Sequence, residues 1–509
     1  MHTPWWQDAV FYQIYPRSFA DADGDGVGDL AGIARRLDYL AWLGVDAVWI
    51  SPFFPSPMKD FGYDVADYCG VDPLFGSLEA FDALLAAAHA RSLRVMIDWV
   101  PAHTSDEHAW FREARASREN GKRDWYVWRD SPADGGLPNN WRAAFLGVPA
   151  WSFDPESRQY YLHSFLKEQP DLNWANPEVV AAMHETLRFW LDRGVDGFRA
   201  DVVHNIGKDP TLADHPEAVA RIPHCALNDR PETHAHLREI RRLLDAYPGD
   251  RCMVGEVFLL DTARVAEYYG EQDELHMSFN FPPLFAPLTA EAWRGQIETT
   301  LGLLDPRAAW PTWVLSNHDR ERHRTRYGSE PKARLAAVLL LTLRGTPFLY
   351  MGEEWGLEDA VVSEARALDP GGRDGCRAPL PWDADAYHGW NAKAWLPFPP
   401  DSAARNAESQ RDDADSILHL YRRLLTARRA CAALRRGRLT LHETEAPCLV
   451  YDRVDGDERR CVAFNFSDAS VACPLDAPYV VEVDGLGRDE GERYAGRLAS
   501  WQALVLAPA

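Results

Sequence analysis

Short apolar runs alternate with amphipathic helical patterns along most of the 509-residue chain. Residues 30–43 and 178–193 place apolar side chains at spacings of three and four residues, which predicts helices with one buried face. Eight β-rich runs lie between such patterns, and eight parallel strands are enough to close a barrel. The predicted strands are residues 10–19, 45–53, 94–103, 197–205, 251–258, 275–281, 310–319 and 345–353.

This alternation predicts an α/β fold, a (β/α)8 or TIM barrel, because strands that alternate with helices form parallel sheets. Residues 104–176 are irregular and rich in Trp, which predicts a domain inserted after the third strand. Segments 448–453, 461–466 and 479–483 alternate apolar and polar residues, which predicts a C-terminal antiparallel β domain. The expected division is barrel 1–103, inserted domain 104–176, barrel 177–430 with a loop insertion at 356–400, and C-terminal domain 431–509.

Composition excludes several classes of partner. The chain carries 54 Lys and Arg against 77 Asp and Glu, a net charge of −23 that repels nucleic acid and anionic membranes. No run of 18 apolar residues and no signal-peptide pattern occurs, so we expect no membrane span. The eight scattered cysteines show no CxxC spacing, which favours free thiols in a reducing, cytoplasmic compartment. The 20 Trp and 18 Tyr suit sugar rings but equally suit core packing.

Charged and polar residues cluster at the C-terminal ends of the predicted strands. In a barrel those ends converge on one mouth, where active sites are built. Carboxylates in apolar strands are costly unless they are paired or functional, and a purely structural ion-pair framework stays open as an alternative. The residues concerned are Asp98, His103, Arg199, Asp201, Glu256, His318 and Asp319.

Asp201 and Glu256 follow neighbouring strands of the predicted barrel, an arrangement that suits two carboxyls on either side of a glycosidic bond. One carboxyl must donate a proton to the leaving oxygen while the other acts at the anomeric carbon. Arg199, two residues before Asp201, points to the same face of its strand and would keep Asp201 ionised. The spacing along the chain leaves retention and inversion of configuration undecided.

Six segments in order resemble the α-amylase family of glycoside hydrolases, in its oligo-1,6-glucosidase and α-glucosidase branch. The resemblance covers nearly the whole chain. Ala102 stands where relatives often have Asn. The segments are 9–19 (AVFYQIYPRSF), 98–103 (DWVPAH), 169–173 (QPDLN), 197–201 (GFRAD), 255–257 (GEV) and 316–319 (SNHD).

The resemblance implies a retaining mechanism on α-glucosides. Asp201 would be the nucleophile, Glu256 the general acid/base, and Asp319 would stabilise the transition state with help from His318 and His103. It also implies a closed pocket for one terminal glucose. Its residues would be Asp60 paired with Arg377 at the floor, Tyr63 stacking on the sugar and Phe165 on the wall.

Other outcomes on the same machinery stay open. A glucosyl-enzyme can pass its sugar to an alcohol, so transglucosylation or an isomerase activity (of the trehalose synthase or sucrose isomerase type) is an alternative to hydrolysis. A non-catalytic relative is a more distant alternative. Val202 after the nucleophile favours α-1,6 over α-1,4 linkages in this branch. We expect a small oligosaccharide as the only ligand partner, no organic cofactor, and a monomer or homodimer.

Residues 21–29 (DADGDGVGD) place carboxylates at alternating positions around glycines, a pattern that suits Ca2+. Gly32 occupies the twelfth position, where an EF-hand needs Glu. Spacing alone leaves a solvated acidic turn equally open. The resemblance implies a structural Ca2+, or Mg2+, held by Asp21, Asp23, Asp25, Asp29 and the Val27 carbonyl.

Overall fold

A computed structural model describes residues 3–133, 135–259 and 261–509. The strands in chain order are β1 Phe11–Ile14, β2 Ala47–Ile50, β3 Arg94–Trp99, β4 Trp128–Arg129, β5 Trp151–Asp154, β6 Gln159–Leu162, β7 Gly197–Ala200, β8 Cys252–Gly255, β9 Met277–Ser278, β10 Thr312–Val314, β11 Thr346–Tyr350, β12 Arg438–Leu441, β13 Cys448–Asp455, β14 Glu458–Asn465, β15 Val471–Ala472, β16 Tyr479–Asp484, β17 Arg497–Leu498 and β18 Ala503–Pro508.

The α-helices in chain order are α1 Trp5–Asp8, α2 Leu30–Arg35, α3 Leu37–Leu43, α4 Leu78–His89, α5 Ala109–Ala116, α6 Pro177–Asp192, α7 His224–Leu227, α8 Pro231–Asp245, α9 Thr262–Glu267, α10 Pro282–Phe285, α11 Ala290–Leu304, α12 His323–Tyr327, α13 Glu330–Thr342, α14 Ala407–Asp412, α15 Ile417–Ala430 and α16 Ala432–Arg436.

Eight strands form one parallel sheet in the order β10-β11-β1-β2-β3-β7-β8-β9, a nearly closed barrel. The Thr312 hydroxyl donates to the Ser278 carbonyl at 2.7 Å, which joins the two end strands. The predicted barrel fold is therefore confirmed, and each of the eight predicted strands contains one of these strands. They are shorter than predicted because each predicted run includes the turn that follows its strand. The helix predicted over 30–43 is two helices, α2 and α3, which meet at Arg36.

The barrel interior is apolar at the bottom and polar at the top. Phe11 and Phe348 stack at a centroid distance of 4.7 Å in its lower part. Above them, the Trp49 indole donates to Asp98 Oδ2 at 2.9 Å. At the start of β7, a Cβ on Gly197 would lie 2.7 Å from the Cys252 carbonyl oxygen, so this position requires Gly for close strand packing. The polar side chains at the top thus rest on a rigid apolar base.

The described residues form three further sheets outside the barrel. Strands β4, β6 and β5 form a small antiparallel sheet between β3 and α6, within the segment predicted as an insertion. At the C-terminus, β12, β13, β14, β18 and β16 form an antiparallel sheet, and β15 pairs with β17. The predicted C-terminal antiparallel β domain is therefore confirmed. Among the described residues, no helix is both long and apolar enough to cross a lipid bilayer.

Candidate active site

A cavity of about 350 Å3 opens at the C-terminal ends of the barrel strands. It brings together seven of the predicted site residues, namely Asp60, Tyr63, His103, Phe165, Asp201, Glu256 and Asp319. The predicted residues Arg199, His318 and Arg377 lie buried directly behind them. A larger cavity of about 650 Å3 beside the inserted sheet contains none of the predicted site residues. The smaller cavity is therefore the candidate active site.

Asp201 and Glu256 each occupy the first position after a barrel strand, β7 and β8 respectively. The Asp201 amide donates to the Trp99 carbonyl at 2.8 Å, and the Glu256 amide donates to the Ala200 carbonyl at 2.8 Å. Sheet hydrogen bonding thus continues up to both carboxylate residues and fixes their backbones.

Val202 adopts φ 34° and ψ 44°, a left-handed conformation that is strained for a β-branched residue. The strained turn ends β7 directly after Asp201. It also directs the Val202 amide to Glu256 Oε2, at 3.2 Å. The local strain therefore places a backbone donor between the two carboxyl groups.

Arg199 links the carboxylates of three strands. Its Nη1 atom lies 2.6 Å from Asp98 and 2.8 Å from Asp201, and its Nη2 atom lies 2.5 Å from Glu256. Burial alone would lower the pKa of Arg199, but the charges of Asp98 and Glu256 outweigh it and hold that pKa well above its usual value. Arg199 therefore stays charged and balances the crowded acids.

Asp201 and Glu256 are linked through Arg199. Burial raises the pKa of Asp201, Arg199 opposes this, and the charge of Glu256 and a hydrogen bond with it raise the pKa further. Beneath them, burial raises the pKa of Asp98 to about 6, although Arg199 opposes the shift. Asp201 and Asp98 therefore hold a proton more tightly than ordinary carboxyls do.

Asp319 also lines the cavity and is held ionised. Burial opposes its ionisation, but the guanidinium charges of Arg373 and Arg377 outweigh that effect and keep the pKa of Asp319 well below its usual range. Arg373 Nη1 and Arg377 Nη2 lie 2.9 and 3.0 Å from Asp319 Oδ1. This carboxylate is therefore a permanent negative charge facing the cavity.

His318 connects Asp319 with the aromatic wall. Its ring stacks on Tyr63 at a centroid distance of 5.3 Å, and its Nε2 atom lies 2.6 Å from the Tyr63 hydroxyl. On the other side, the Gln13 amide lies 2.7 Å from His318 Nδ1. Burial lowers the pKa of His318 well below its usual value, so the ring is neutral. Contacts to both ring nitrogens fix its orientation.

The floor of the cavity corrects one prediction. The arginine that pairs with Asp60 is Arg373, with Nη2 2.5 Å from Asp60 Oδ1, whereas the expected partner, Arg377, pairs with Asp319 and Asp369. Both arginines lie in the same irregular loop, four residues apart, so the choice between them depends on the path of that loop. Asp60 also accepts from Gln169 Nε2 at 3.0 Å. A charged network therefore closes this end of the cavity.

Aromatic residues that the sequence did not single out for the site also line the cavity. Phe145, Phe258 and Phe281 join Phe165 in its lining. Phe145 is 42% exposed and packs against the Arg373 guanidinium, with 4.6 Å between its ring centroid and Cζ. Phe258 and Phe281 end the predicted strands 251–258 and 275–281, and Phe145 lies in the irregular inserted segment, so no motif marked them as site residues. The cavity lining thus combines charged and aromatic side chains.

The acidic loop of residues 21–29 folds back on itself. Asp21, Asp23 and Asp29 each offer a carboxylate oxygen within 4.8 Å of the others, and Asp21 and Asp29 are buried. Asp25 accepts from the Val27 amide at 2.7 Å, in the same loop but outside that group of three. Gly24 and Gly26 have φ of 91° and 89°, which allows the tight turn that brings the carboxylates together.

Known proteins resemble this chain over its whole length. Residues 13–437 match the alpha amylase catalytic domain family. A probable alpha-glucosidase of Rhizobium meliloti (strain 1021) is 43% identical, with 95% of this chain and 93% of the relative covered. An oligo-1,6-glucosidase of Heyndrickxia coagulans is 36% identical, with 92% and 93% covered.

Solved structures also resemble this chain over its whole length. The crystal structure of an alpha-glucosyl transfer enzyme has a TM-score of 0.93 and 43% identity, with 100% of both chains covered. A trehalulose synthase from Pseudomonas mesoacidophila MX-45 has a TM-score of 0.92 and 33% identity, with 100% of both chains covered. Together with the six ordered motifs and the cavity they build, these matches show that this chain belongs to the alpha-amylase family of glycoside hydrolases.

Proposed function

We propose that this protein is a retaining, exo-acting α-glucosidase that releases terminal α-glucose from short α-glucosides of the maltose and isomaltose type. The observation that carries the proposal is the meeting of Asp201, Glu256 and Asp319 around one cavity whose inner end is closed by Asp60 and Arg373. A closed inner end admits a chain terminus and excludes internal bonds of a polymer. The alpha-glucosidase and oligo-1,6-glucosidase relatives support the same reaction.

Asp201 is the proposed nucleophile. Its carboxylate attacks the anomeric carbon and displaces the leaving oxygen, which gives a covalent glucosyl-enzyme with inverted configuration. Water then attacks the same carbon and displaces the Asp201 carboxylate, and this second inversion releases α-glucose. The first step requires an ionised Asp201 and a protonated Glu256. Because Glu256 Oε2 accepts from Arg199 Nη2 and the Val202 amide, we place that proton on Oε1.

Glu256 is the proposed general acid and base. Its Oε1 proton passes to the glycosidic oxygen as the C–O bond breaks, and the resulting carboxylate then takes a proton from water. Arg199 contacts both Glu256 and Asp201, so it balances whichever of the two is ionised as charge moves between them. Its fixed position requires no reorganisation during the reaction.

Asp319 and its neighbours position the sugar. A permanently ionised Asp319 suits hydrogen bonds to glucose hydroxyls and attraction to the positive charge that develops at the sugar ring. We assign His103 and His318 to neighbouring hydroxyls, Tyr63 and Phe165 to the faces of the ring, and Asp60 with Arg373 to the non-reducing end. Arg377 acts behind them, through Asp319 and the His318 carbonyl, to which its Nε donates at 2.8 Å.

Transfer of glucose to an alcohol is the second candidate activity. The cavity lining also includes the apolar side chains of Val202, Ala226, Phe258 and Phe281, which can bind the apolar face of an acceptor and displace water. A relative that is an alpha-glucosyl transfer enzyme, and another that is a trehalulose synthase, support this alternative. Val202 itself supports cleavage of α-1,6 linkages.

We further propose a structural Ca2+, or Mg2+, in the acidic loop. The donor set fits a hard divalent cation, since Asp21, Asp23 and Asp29 converge through carboxylate oxygens alone. Asp25 and the Val27 carbonyl would complete the shell. The ion would neutralise the crowded carboxylates and hold the loop that precedes α2, whose first turn is capped by Asp29. It takes no part in bond cleavage.

The retained carboxylates argue against a non-catalytic relative, because a binding protein has no need of a buried acid pair held by Arg199. The ligand partner we propose is a small oligosaccharide, in a monomer or homodimer. The eight cysteines are free thiols, which supports the proposal of a reducing, cytoplasmic compartment.

The test is proton NMR of the purified protein with maltose and with isomaltose, followed from the first minutes. We expect α-glucose as the first product, before mutarotation, and faster release from isomaltose. First release of β-glucose would refute retention. Dominant larger or rearranged sugars would show that transfer or isomerisation is the main activity.

A further inference from the structure

Three side chains of different chemistry converge in the C-terminal antiparallel sheet, which follows the barrel in the chain. His442, Asp452 and Cys461 each offer one ligand atom, and these three atoms lie within 4.8 Å of one another. Asp452 on β13 and Cys461 on β14 are direct cross-strand partners. His442 follows β12, and its amide donates to the Val450 carbonyl at 2.9 Å. Sheet register therefore brings nitrogen, oxygen and sulfur donors to one point.

The two oxygens of the Asp452 carboxylate differ in their hydrogen bonds. Oδ2 lies 2.9 Å from His442 Nε2 and 2.7 Å from Arg459 Nη2. Oδ1 is buried, and none of the described residues donates a hydrogen bond to it. A buried carboxylate oxygen without a partner is costly, and a cation would satisfy it. The Arg459 contact would remain as the outer hydrogen bond that orients a ligating carboxylate.

We propose that His442, Asp452 and Cys461 form a binding site for a zinc-like divalent metal ion. A mixed nitrogen, oxygen and sulfur set suits Zn2+ or Co2+ in tetrahedral geometry, with a water molecule as the fourth ligand. The site differs from the acidic loop, whose oxygen-only donors suit Ca2+.

Binding replaces a proton with the metal. The Cys461 thiol gives its proton to solvent and binds as thiolate, while His442 binds through a neutral ring nitrogen. Thiolate and carboxylate then balance the two positive charges of the ion. Because the thiolate and the neutral imidazole are the binding forms, proton release accompanies metal binding.

The expected consequence is stabilisation of the C-terminal domain. The ion would tie the segment after β12 to the β13–β14 pair, and a ligand that binds only the folded state raises Tm. Catalysis is not involved, since the three ligands lie outside the residues that line the active-site cavity.

The test uses the full-length protein freed of metals with a chelator and then kept in millimolar Ca2+ to saturate the acidic loop. We expect Co2+ to bind one ion per chain with a thiolate-to-cobalt charge-transfer band in the near ultraviolet and tetrahedral bands in the visible. Zn2+ should abolish these bands and raise Tm.

Single-residue variants test whether the Co2+ absorption bands come from the proposed metal site. Cys461→Ser should remove the charge-transfer band, and His442→Ala should weaken Co2+ binding at least tenfold. Cys69→Ser and His419→Ala, which remove a thiol and a partly buried imidazole elsewhere, should leave both unchanged. Should Cys461→Ser fail to fold, the partly exposed His442 provides the second variant. Absence of the charge-transfer band, or its persistence in Cys461→Ser, would overturn the proposal.

Discussion

The pairing of Asp60 with Arg373 at the floor of the cavity can be measured by a double-mutant cycle. Both side chains are less than 10% exposed, at 4% and 8%, and their atoms lie 2.5 Å apart. Arg373 also contacts Asp319 and Asp369, so Arg373→Met leaves three carboxylates short of a partner. Breaking a buried ion pair costs about 3–5 kcal/mol, so we expect Arg373→Met to lower kcat/KM roughly 10²- to 10⁴-fold.

The cycle combines Asp60→Asn with Arg373→Met. Close charge pairs of this kind couple by about 1.5–3 kcal/mol, so the double variant should be roughly 10- to 150-fold more active than independent effects predict. The matched cycle pairs Asp60→Asn with Arg377→Met. Arg377 pairs with Asp319 and Asp369, which it shares with Arg373, so it reaches Asp60 only through this network and its coupling to Asp60 should be smaller than that of Arg373.

The assay is kcat/KM for the sugar that NMR shows to be cleaved faster, with circular dichroism and Tm to confirm that each variant is folded. Should Arg377→Met not fold, Arg377→Lys takes its place in the cycle. Coupling of Asp60 that is greater with Arg377 than with Arg373 would refute the geometry of the pocket floor and restore the pairing expected from the sequence.

Four further predictions follow from the site and its framework. Asp201→Asn should lower kcat by roughly 10⁴-fold or more while Tm stays within a few degrees, and residual turnover near wild type would disprove the nucleophile assignment. Glu354 lies in the 3-10 helix Glu353–Trp355 that follows β11, is buried, and accepts hydrogen bonds from the Tyr12 and Tyr39 hydroxyls. Burial raises its pKa to about 7, so between its usual pKa and about 7 the folded state binds the proton more tightly than the unfolded state does. The stability from this proton is present at low pH and lost as pH rises to about 7. Glu354→Gln should therefore make the pH slope of the unfolding free energy more positive, by up to about 1.4 kcal/mol per pH unit, in denaturant titrations, and an unchanged slope would contradict this. Chelation should lower Tm by several degrees in wild type but not in Asp21→Asn, and equal shifts in both would locate the cation elsewhere. Val202→Thr should lower the ratio of isomaltose to maltose kcat/KM, and a constant ratio would show that linkage preference resides in other residues.

Local pattern predicted the barrel strands but overextended them. Residues 10–19 were predicted as one strand, yet β1 ends at Ile14 and a 3-10 helix covers Pro16–Ser18. Apolar residues after a barrel strand are buried because the mouth is covered by loops, so the pattern continues beyond the hydrogen bonds. The 30–43 pattern likewise continues across two helices, because both bury the same face.

The sequence by itself determined the barrel and the identity of the acids at its mouth. The hydrophobic periods of strands and helices depend on residues that are close in the sequence. A carboxylate that follows an apolar run is likewise a local signal, which marks the end of a strand. The tertiary structure alone decided which arginine closes the pocket, since Arg373 and Asp60 are 313 residues apart. It also decided how Arg199 links Asp98, Asp201 and Glu256. These outcomes depend on distances of a few ångströms between separate loops and strands, and Coulomb and hydrogen-bond energies change steeply over such distances.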